Sequence, residues 1–403
     1  MYSAEAGLEP FIHRMLSAKE RRRFPFPARE TNLRPGVLFE SHFSGYSGYS
    51  KAARQIAMRI SPSIYVEAVD LAGGAGWESS TEHLKLSGLR RIRVGPDTPY
   101  LRFYGPDVKE RSGWRASICW TMMESGSVHR DMIDAMNRFF DEIWTPSAWN
   151  ARTFTDSGLE RPVRVMPLGV DPLVYRPEKP KPCLPPCRLI STRRAGIMEI
   201  PKADFLFLSV GLPSFRKGFD VLVKAFRSAF RGDDDVVLIL ATTFFHMDSI
   251  FRGTKNRIYA LEGTFDEHSM ARIYNACDAY VCASRGEGWN LPACEAAACG
   301  LPVILPRNSC HEEVFLDGAL YFDAEGCAPV LGAESISPWY AGVPFSVFGR
   351  KSIRQLSSLL QEVRRRTPDS IRTASRGREI MITERTWNRA AEAVCRRLLE
   401  LNP

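Results

Sequence analysis

No stretch of the 403 residues approaches eighteen consecutive apolar positions, so no membrane-crossing helix is expected. The start, Met1 to Glu9, has neither the basic region nor the apolar core of a secretory leader. The sequence therefore predicts a cytoplasmic chain, with a peripheral place at the inner membrane face still open to it. Ten cysteines in a chain this long are too few for a disulfide scaffold. Cys119, Cys277, Cys282, Cys294 and Cys299 stand in apolar strings, where a reduced thiol behaves as a small hydrophobe. Cys183 and Cys187 share a proline-rich stretch, but no second pair lies nearby to complete a zinc site. No short-period repeat is visible, which excludes solenoids and propellers.

Aromatics are plentiful. The 23 Phe, 12 Tyr and 8 Trp exclude a disordered or collagen-like chain, and the length predicts two or three domains. Lys and Arg total 54 against 46 Asp and Glu, a net charge of +8. That balance points to an acidic partner: nucleic acid, an anionic membrane surface or a phosphorylated small molecule.

Apolar runs and glycine turns alternate along the chain. Gly36–Glu40 reads as a strand, followed by the glycine-rich His42–Ser50 and a helix over 51–59, which is how a βαβ unit opens. Ser63–Val69, Ala116–Met122 and Glu142–Thr145 read as further strands, and Asp131–Phe140 as a helix. From Asp171 to Pro201 the prolines 172, 177, 180, 182, 185 and 186 favour a stiff linker over any packed element. Alternation then resumes: strands at 206–210, 236–241, 257–261, 279–283 and 302–305, with helices at 219–230, 266–277 and 292–299 between them. The fold class is α/β, with two doubly wound parallel sheets facing across a cleft. Residues 1–175 form the first domain, 176–200 the linker, 201–383 the second domain, and 384–403 a closing helix with Trp387, Ala391, Val394, Leu398 and Leu401 at helical spacing.

Two segments carry the chemistry. Ser209–Asp220 places Arg216 and Lys217 on a turn between strand and helix, where two cations and helix amides converge on one anion; a nucleotide diphosphate suits it. As an isolated element, the same turn reads first as a solvated basic cap. In Ser284–Ile304, seven residues separate Glu287 from Glu295, and Gly286 and Gly288 flank the first. Glycines let backbone amides approach a ligand that a Cβ would exclude. Pro292 marks the next helix start, so its positive end faces the same place. Glu287 suits sugar hydroxyls, and Glu295, expected on the first turn of that helix, suits a ribose diol.

This stretch resembles the E-x7-E signature of retaining, nucleotide-sugar-dependent glycosyltransferases of the GT-B fold, family four (group 1). Arg216-Lys-Gly resembles that family's diphosphate turn, Arg164–Asp171 the loop leaving its first domain, Asp141–Ser147 with Ser157-Gly the strand and helix before it, and Ser44–Tyr49 its N-terminal glycine loop. The likeness runs through residues 36–60 and 118–310. It implies two Rossmann-like domains and a metal-independent, retaining hexosyltransferase-type enzyme that moves a sugar from a nucleotide-diphosphate sugar to a hydroxyl acceptor. It needs no other cofactor. The catalytic set it implies is Glu124, Arg216, Lys217 and Glu287. The donor would be held by Gly45, Gly48, Gly211, Arg216, Lys217, Leu261, Glu287, Gly288, Trp289, Asn290, Leu291 and Glu295. Same-face attack, with the leaving phosphate taking the acceptor's proton, is the implied route.

Three departures stand out. Leu212 replaces an arginine common in the family, which leaves Arg216 as its substitute. Asn290 stands where a second glycine is common. The sugar-facing histidine is missing, and Glu124 fits its place best; His129 reads first as a surface or helix-capping residue and second as an alternative. His42 beside the glycine loop stays undecided. The arginine clusters 90–93 and 364–366 read as solvated faces, or as docking points for an anionic acceptor or membrane. Two alternatives accompany the leading reading: a transferase acting on modified bases in DNA, and a non-catalytic nucleotide-sugar-binding subunit.

Overall fold

The computed structural model describes residues 35–71, 86–108, 113–184, 188–191, 194–197, 203–232, 235–243, 258–330 and 337–402. The basic run Lys19–Arg23, Pro185, Pro186 and Cys187 lie outside them.

Six parallel strands form the first sheet: β1 (Gly36–Ser41), β2 (Tyr65–Asp70), β3 (Tyr100–Phe103), β4 (Ser117–Trp120), β5 (Glu142–Thr145) and β6 (Val163–Val165), in the order β2-β1-β3-β4-β5-β6. Helices α1 (Gly48–Ile60), α2 (Arg130–Phe139) and α3 (Ala148–Asp156) connect them. Strands β1, β3, β4 and β5 are buried along their whole length, as a parallel sheet covered on both faces requires.

The second sheet runs β14-β13-β12-β9-β10-β11-β7-β8. Its parallel members are β9 (Phe205–Val210), β10 (Val236–Thr242), β11 (Ile258–Glu262), β12 (Ala279–Val281), β13 (Val303–Arg307) and β14 (Leu320–Asp323). Between them run α4 (Phe219–Ala229), α5 (Glu267–Ala276), α6 (Leu291–Ala298) and α7 (His311–Phe315). Residues 176–200 are more than linker. They contain β7 (Arg188–Ser191) and β8 (Arg194–Ile197), an antiparallel pair that adds to β11 at the sheet edge. The prolines stop at 186, and the short run beyond them is free to hydrogen-bond an edge that would otherwise stay open.

Both sheets aim their carboxyl ends at the same cleft, and the strand order explains which loops meet there. In the second sheet the order reverses at β9, flanked by β12 and β10. The turn after β9 carries Arg216 and Lys217, and the loop after β12 carries Glu287. The two motif loops are therefore neighbours at a topological switch point, where such sheets hold ligands.

Beyond β14 come β15 (Cys327–Pro329) and β16 (Pro344–Ser346), then α8 (Arg350–Arg364), α9 (Pro368–Thr383) and α10 (Trp387–Glu400). Helix α10 returns to the first lobe and packs on α1, burying Trp387, Ala390, Ala391, Val394 and Leu398. Arg397 anchors its end: its guanidinium reaches Glu142 Oε2 at 2.5 Å, and Arg164 Nε lies 2.5 Å from Oε1 of the same carboxylate. Two crossings between the lobes, one after β6 and one before α10, pair with each other. Val170 N–H donates to the Arg385 carbonyl at 2.8 Å, and Trp387 N–H donates to the Val170 carbonyl at 3.1 Å. A Cβ on Gly169 would stand 2.3 Å from the Thr386 backbone, so glycine permits the contact. Among the described residues no helix is long and apolar enough to cross a membrane.

Candidate active site

Lys217 enters the site from the 3-10 turn Phe215–Lys217, which Gly218 ends at φ +65°. A Cβ on Gly218 would lie 1.9 Å from the Ala283 carbonyl oxygen, so the turn can press against β12's loop only with glycine there. Lys217 Nζ reaches Glu287 Oε1 at 2.6 Å, and Arg216 Nη1 reaches Glu287 Oε2 at 3.1 Å. Arg216 Nη1 also donates to the Gly286 carbonyl at 2.9 Å, while Nη2 stands 3.7 Å from Glu124 Oε1. All four residues expected to be catalytic therefore meet in one cluster, with Glu124 supplied by the loop after β4. Burial alone would raise the Glu287 carboxyl, but Lys217 and then Arg216 outweigh it and hold it at about 2.

The glycines are required here too. A Cβ on Gly286 would meet the Glu124 carbonyl oxygen at 1.5 Å, and one on Gly288 would meet Met122 at 2.7 Å. The Gly286–Gly288 loop thus lies flat against the first lobe. The backbone amides of Gly288, Trp289 and Asn290 are in buried residues and have no hydrogen-bond partner among the described residues. The Nε–H groups of Arg216 and Trp289 are buried without one as well. Buried donors left unpaired cost about 1–3 kcal/mol each, so several in one place mark a site shaped for acceptor atoms.

Asn290 now has a structural reason. It adopts φ +71°, a conformation that asparagine tolerates, and its Oδ1 accepts from Ala293 N–H to cap α6. His311 supports it: Nε2 lies 2.9 Å from Asn290 Nδ2, and Nδ1 lies 3.0 Å from the Pro306 carbonyl. Burial lowers this imidazole to about 4, so it is neutral and one ring nitrogen is free to accept from Asn290.

Glu295 differs from expectation. Because Asn290 caps the helix, α6 begins at Leu291 and Glu295 falls on its second turn. Its carboxylate is buried and already held: Lys51 Nζ is 2.5 Å from Oε1, and the Tyr274 hydroxyl donates to Oε2 at 2.9 Å. Lys51 also donates to Tyr175 Oη at 2.8 Å. Leu261 is fully buried in β11 among core residues, so its side chain belongs to packing. Gly45, at φ +101°, turns the N-terminal loop; Gly48 starts α1, where a Cβ would sit 3.6 Å from Leu291. A Cβ on Gly211 would lie 3.0 Å from the Lys217 side chain. Leu212 is half exposed.

His129 caps α2, accepting from Asp131 N–H at 3.3 Å, and His42 packs edge-on against Tyr104. Within the arginine clusters, Arg90 pairs with Asp70, Arg93 with Glu67, Arg364 with Asp204 and Arg366 with Asp278. Lys51, Tyr274 and His311 escape a sequence reading because each acts through a partner distant in the chain. Lys51, three residues past Gly48 at a helix start, carries the one usable signal.

Residues 204–328 match the family of glycosyl transferases group 1. That matched stretch lies within the second lobe. Over 142 residues, 34% of this chain, the sequence is 31% identical to the serotype-specific mannosyltransferase WbdA of Escherichia coli, and the match spans 17% of that protein's length. Among solved structures, sucrose-phosphate synthase from Thermosynechococcus elongatus superimposes with a TM-score of 0.62 at 13% identity, covering 91% of this chain and 99% of the other. HepE of Anabaena, in complex with UDP and glucose, gives 0.60 at 13% identity, covering 91% and 100%. These likenesses show the fold: two Rossmann-like domains of the GT-B type.

Proposed function

We propose that this protein is a retaining, metal-independent glycosyltransferase that moves a sugar from a nucleotide-diphosphate sugar to a hydroxyl acceptor. The observation that carries the reading is the row of unpartnered amides at Gly288, Trp289 and Asn290, among the described residues, beside the Arg216–Lys217–Glu287 cluster. Amides and cations converge there at the start of α4 and α6, which suits an anion joined to a hydroxyl-rich ring. Lysine has three N–H donors and guanidinium five, so Lys217 and Arg216 can keep Glu287 and still serve phosphate oxygens. Their charge would then stabilise the departing diphosphate, a contribution of about 10²–10³ in rate per donor. Glu287 and the loop amides would hold the transferred sugar. The diphosphate oxygen that gains charge as the sugar bond breaks would accept the acceptor hydroxyl's proton. HepE, solved with UDP-glucose, supports a nucleotide sugar as the donor class.

A thermal-shift screen with UDP, GDP, ADP and TDP tests this. At least one is expected to raise the melting temperature, since a ligand of the native state stabilises it, and Lys217→Ala should remove the shift. No shift with any of the four would overturn the reading. Where binding occurs, release of nucleoside diphosphate separates an enzyme from a binding subunit, and steep salt dependence with modified duplex would point to a DNA acceptor.

A further inference from the structure

The hairpin from β15 to β16 leaves the second lobe and embeds itself in the first. Its strands pair antiparallel, Cys327 with Ser346 and Ala328 with Phe345. Its root is tied to the sugar loop, where Ser346 N–H donates to the Arg285 carbonyl at 3.1 Å and Asn308 Nδ2 donates to Ser346 Oγ at 3.0 Å. Its far end is tied to the other lobe. Tyr340, Val343 and Phe345 are buried in one cluster with Leu38, Tyr100, Cys119, Met123 and Val128, and Gly126 N–H donates to the Pro344 carbonyl at 2.9 Å. The family match ends at residue 328, just inside β15, so nearly all of this element lies beyond the shared domain.

One polar contact joins it to the site. The Tyr340 hydroxyl, in the 3-10 turn Pro338–Tyr340, donates to Glu124 Oε2 at 2.7 Å, leaving Oε1 toward Arg216 at 3.7 Å. Burial and the Glu124 charge both push the Tyr340 phenol up, so it stays a donor. Without that hydroxyl, nothing else among the hairpin's described residues would oppose the pull of the Arg216 guanidinium on the carboxylate. Opposite charges this close and this shielded attract strongly enough to move a side chain.

We propose that Tyr340 is a positioning residue for Glu124. The inference rests on the reading of Glu124 as the sugar-facing carboxylate. Tyr340 would hold Glu124 at the distance from Arg216 that leaves one oxygen for a hydroxyl of the sugar.

The test compares the full-length wild type with Tyr340→Phe, Glu124→Gln and the double variant. The probes are sugar conjugates of UDP, GDP, ADP and TDP, with water as acceptor and release of nucleoside diphosphate as the readout. Tyr340→Phe is expected to lower kcat about 10- to 100-fold, the scale of a misplaced reacting group. It should stay folded at the assay temperature, and the loss in kcat should exceed any loss of affinity for the free nucleoside diphosphate. The double variant should be no slower than Glu124→Gln, because both changes act through one carboxylate. Wild-type kcat in Tyr340→Phe, losses that multiply in the double variant, or a loss of diphosphate affinity as large as the loss in kcat would each overturn the assignment. A wild type that binds no nucleoside diphosphate fails one step earlier. It overturns the donor-site reading, and the role of Tyr340 with it.

Discussion

Lys51 of the first lobe and Glu295 of the second share a 2.5 Å contact, and the carboxylate is almost wholly buried. The residue expected to grip a ribose is thereby tied to the opposite half of the molecule. Two consequences follow for substitution. Lys51→Met strands a buried carboxylate and should cost about 3–5 kcal/mol, the range for breaking one side of a buried pair. Adding Glu295→Gln should recover most of it, since an amide needs no counter-ion. Urea unfolding of both variants checks this; equal stability of Lys51→Met and wild type would show the pair to be dispensable.

The Arg216 guanidinium bridges Gly286, Glu287 and Glu124, so its loss should be felt in catalysis more than in folding. Arg216→Ala is expected to reduce nucleoside-diphosphate release by about 10²–10³. Calorimetric titration with the nucleoside diphosphate should show weaker binding as well. An unchanged rate would remove Arg216 from the diphosphate site.

Gly218 tests the backbone argument. Its φ is +65°, and a methyl group added there would come within 1.9 Å of the Ala283 oxygen, which leaves no room for a side chain. Gly218→Ala should therefore destabilise by more than the roughly 1 kcal/mol of an unfavourable φ alone, and it should displace Lys217, the preceding residue. Thermal unfolding reads the first effect and diphosphate binding the second.

Acid should loosen the Gly286–Asn290 loop through His311. The unfolded imidazole takes its proton near pH 6.5, roughly the free value; the folded one waits until about 4. Between those values the unfolded state binds more protons, so stability rises with pH and is lost as pH falls from 6.5 to 4. Glu287 follows the carboxylate rule: its contribution is present above about pH 4.3 and disappears as pH falls toward about 2. Unfolding free energy measured from pH 4 to 7 should slope more steeply for wild type than for His311→Gln. Identical slopes would place the acid sensitivity elsewhere.

Much of the fold is legible in the sequence because it is written locally. The run Val236–Ala241 is apolar at every position, as a strand covered on both faces must be, and the Phe219–Phe226 face repeats at helical spacing. The Arg216–Lys217 and Glu287 segments are legible for a related reason, since each motif sits on a single turn. Contacts that bridge long separations leave no such trace. Lys51 meets Glu295 across 244 positions and Tyr340 meets Glu124 across 216. The edge strands β7 and β8 are masked by the prolines before them. Glu295 falls a turn later than its motif suggests because Asn290, which looks like a missing glycine, is the helix cap.

The paired crossings at Val170 and Thr386 have a mechanical meaning. Two strands of backbone joined side by side form a pin: they resist sliding and twisting of one lobe past the other, yet permit rotation about their shared line. A swing of the lobes about that line would also have to free the β15–β16 segment from the first lobe. Helices α1 and α10 ride on the same leaf, so a chimera that exchanges the second lobe with a relative's needs two cuts, one on each side of the pin.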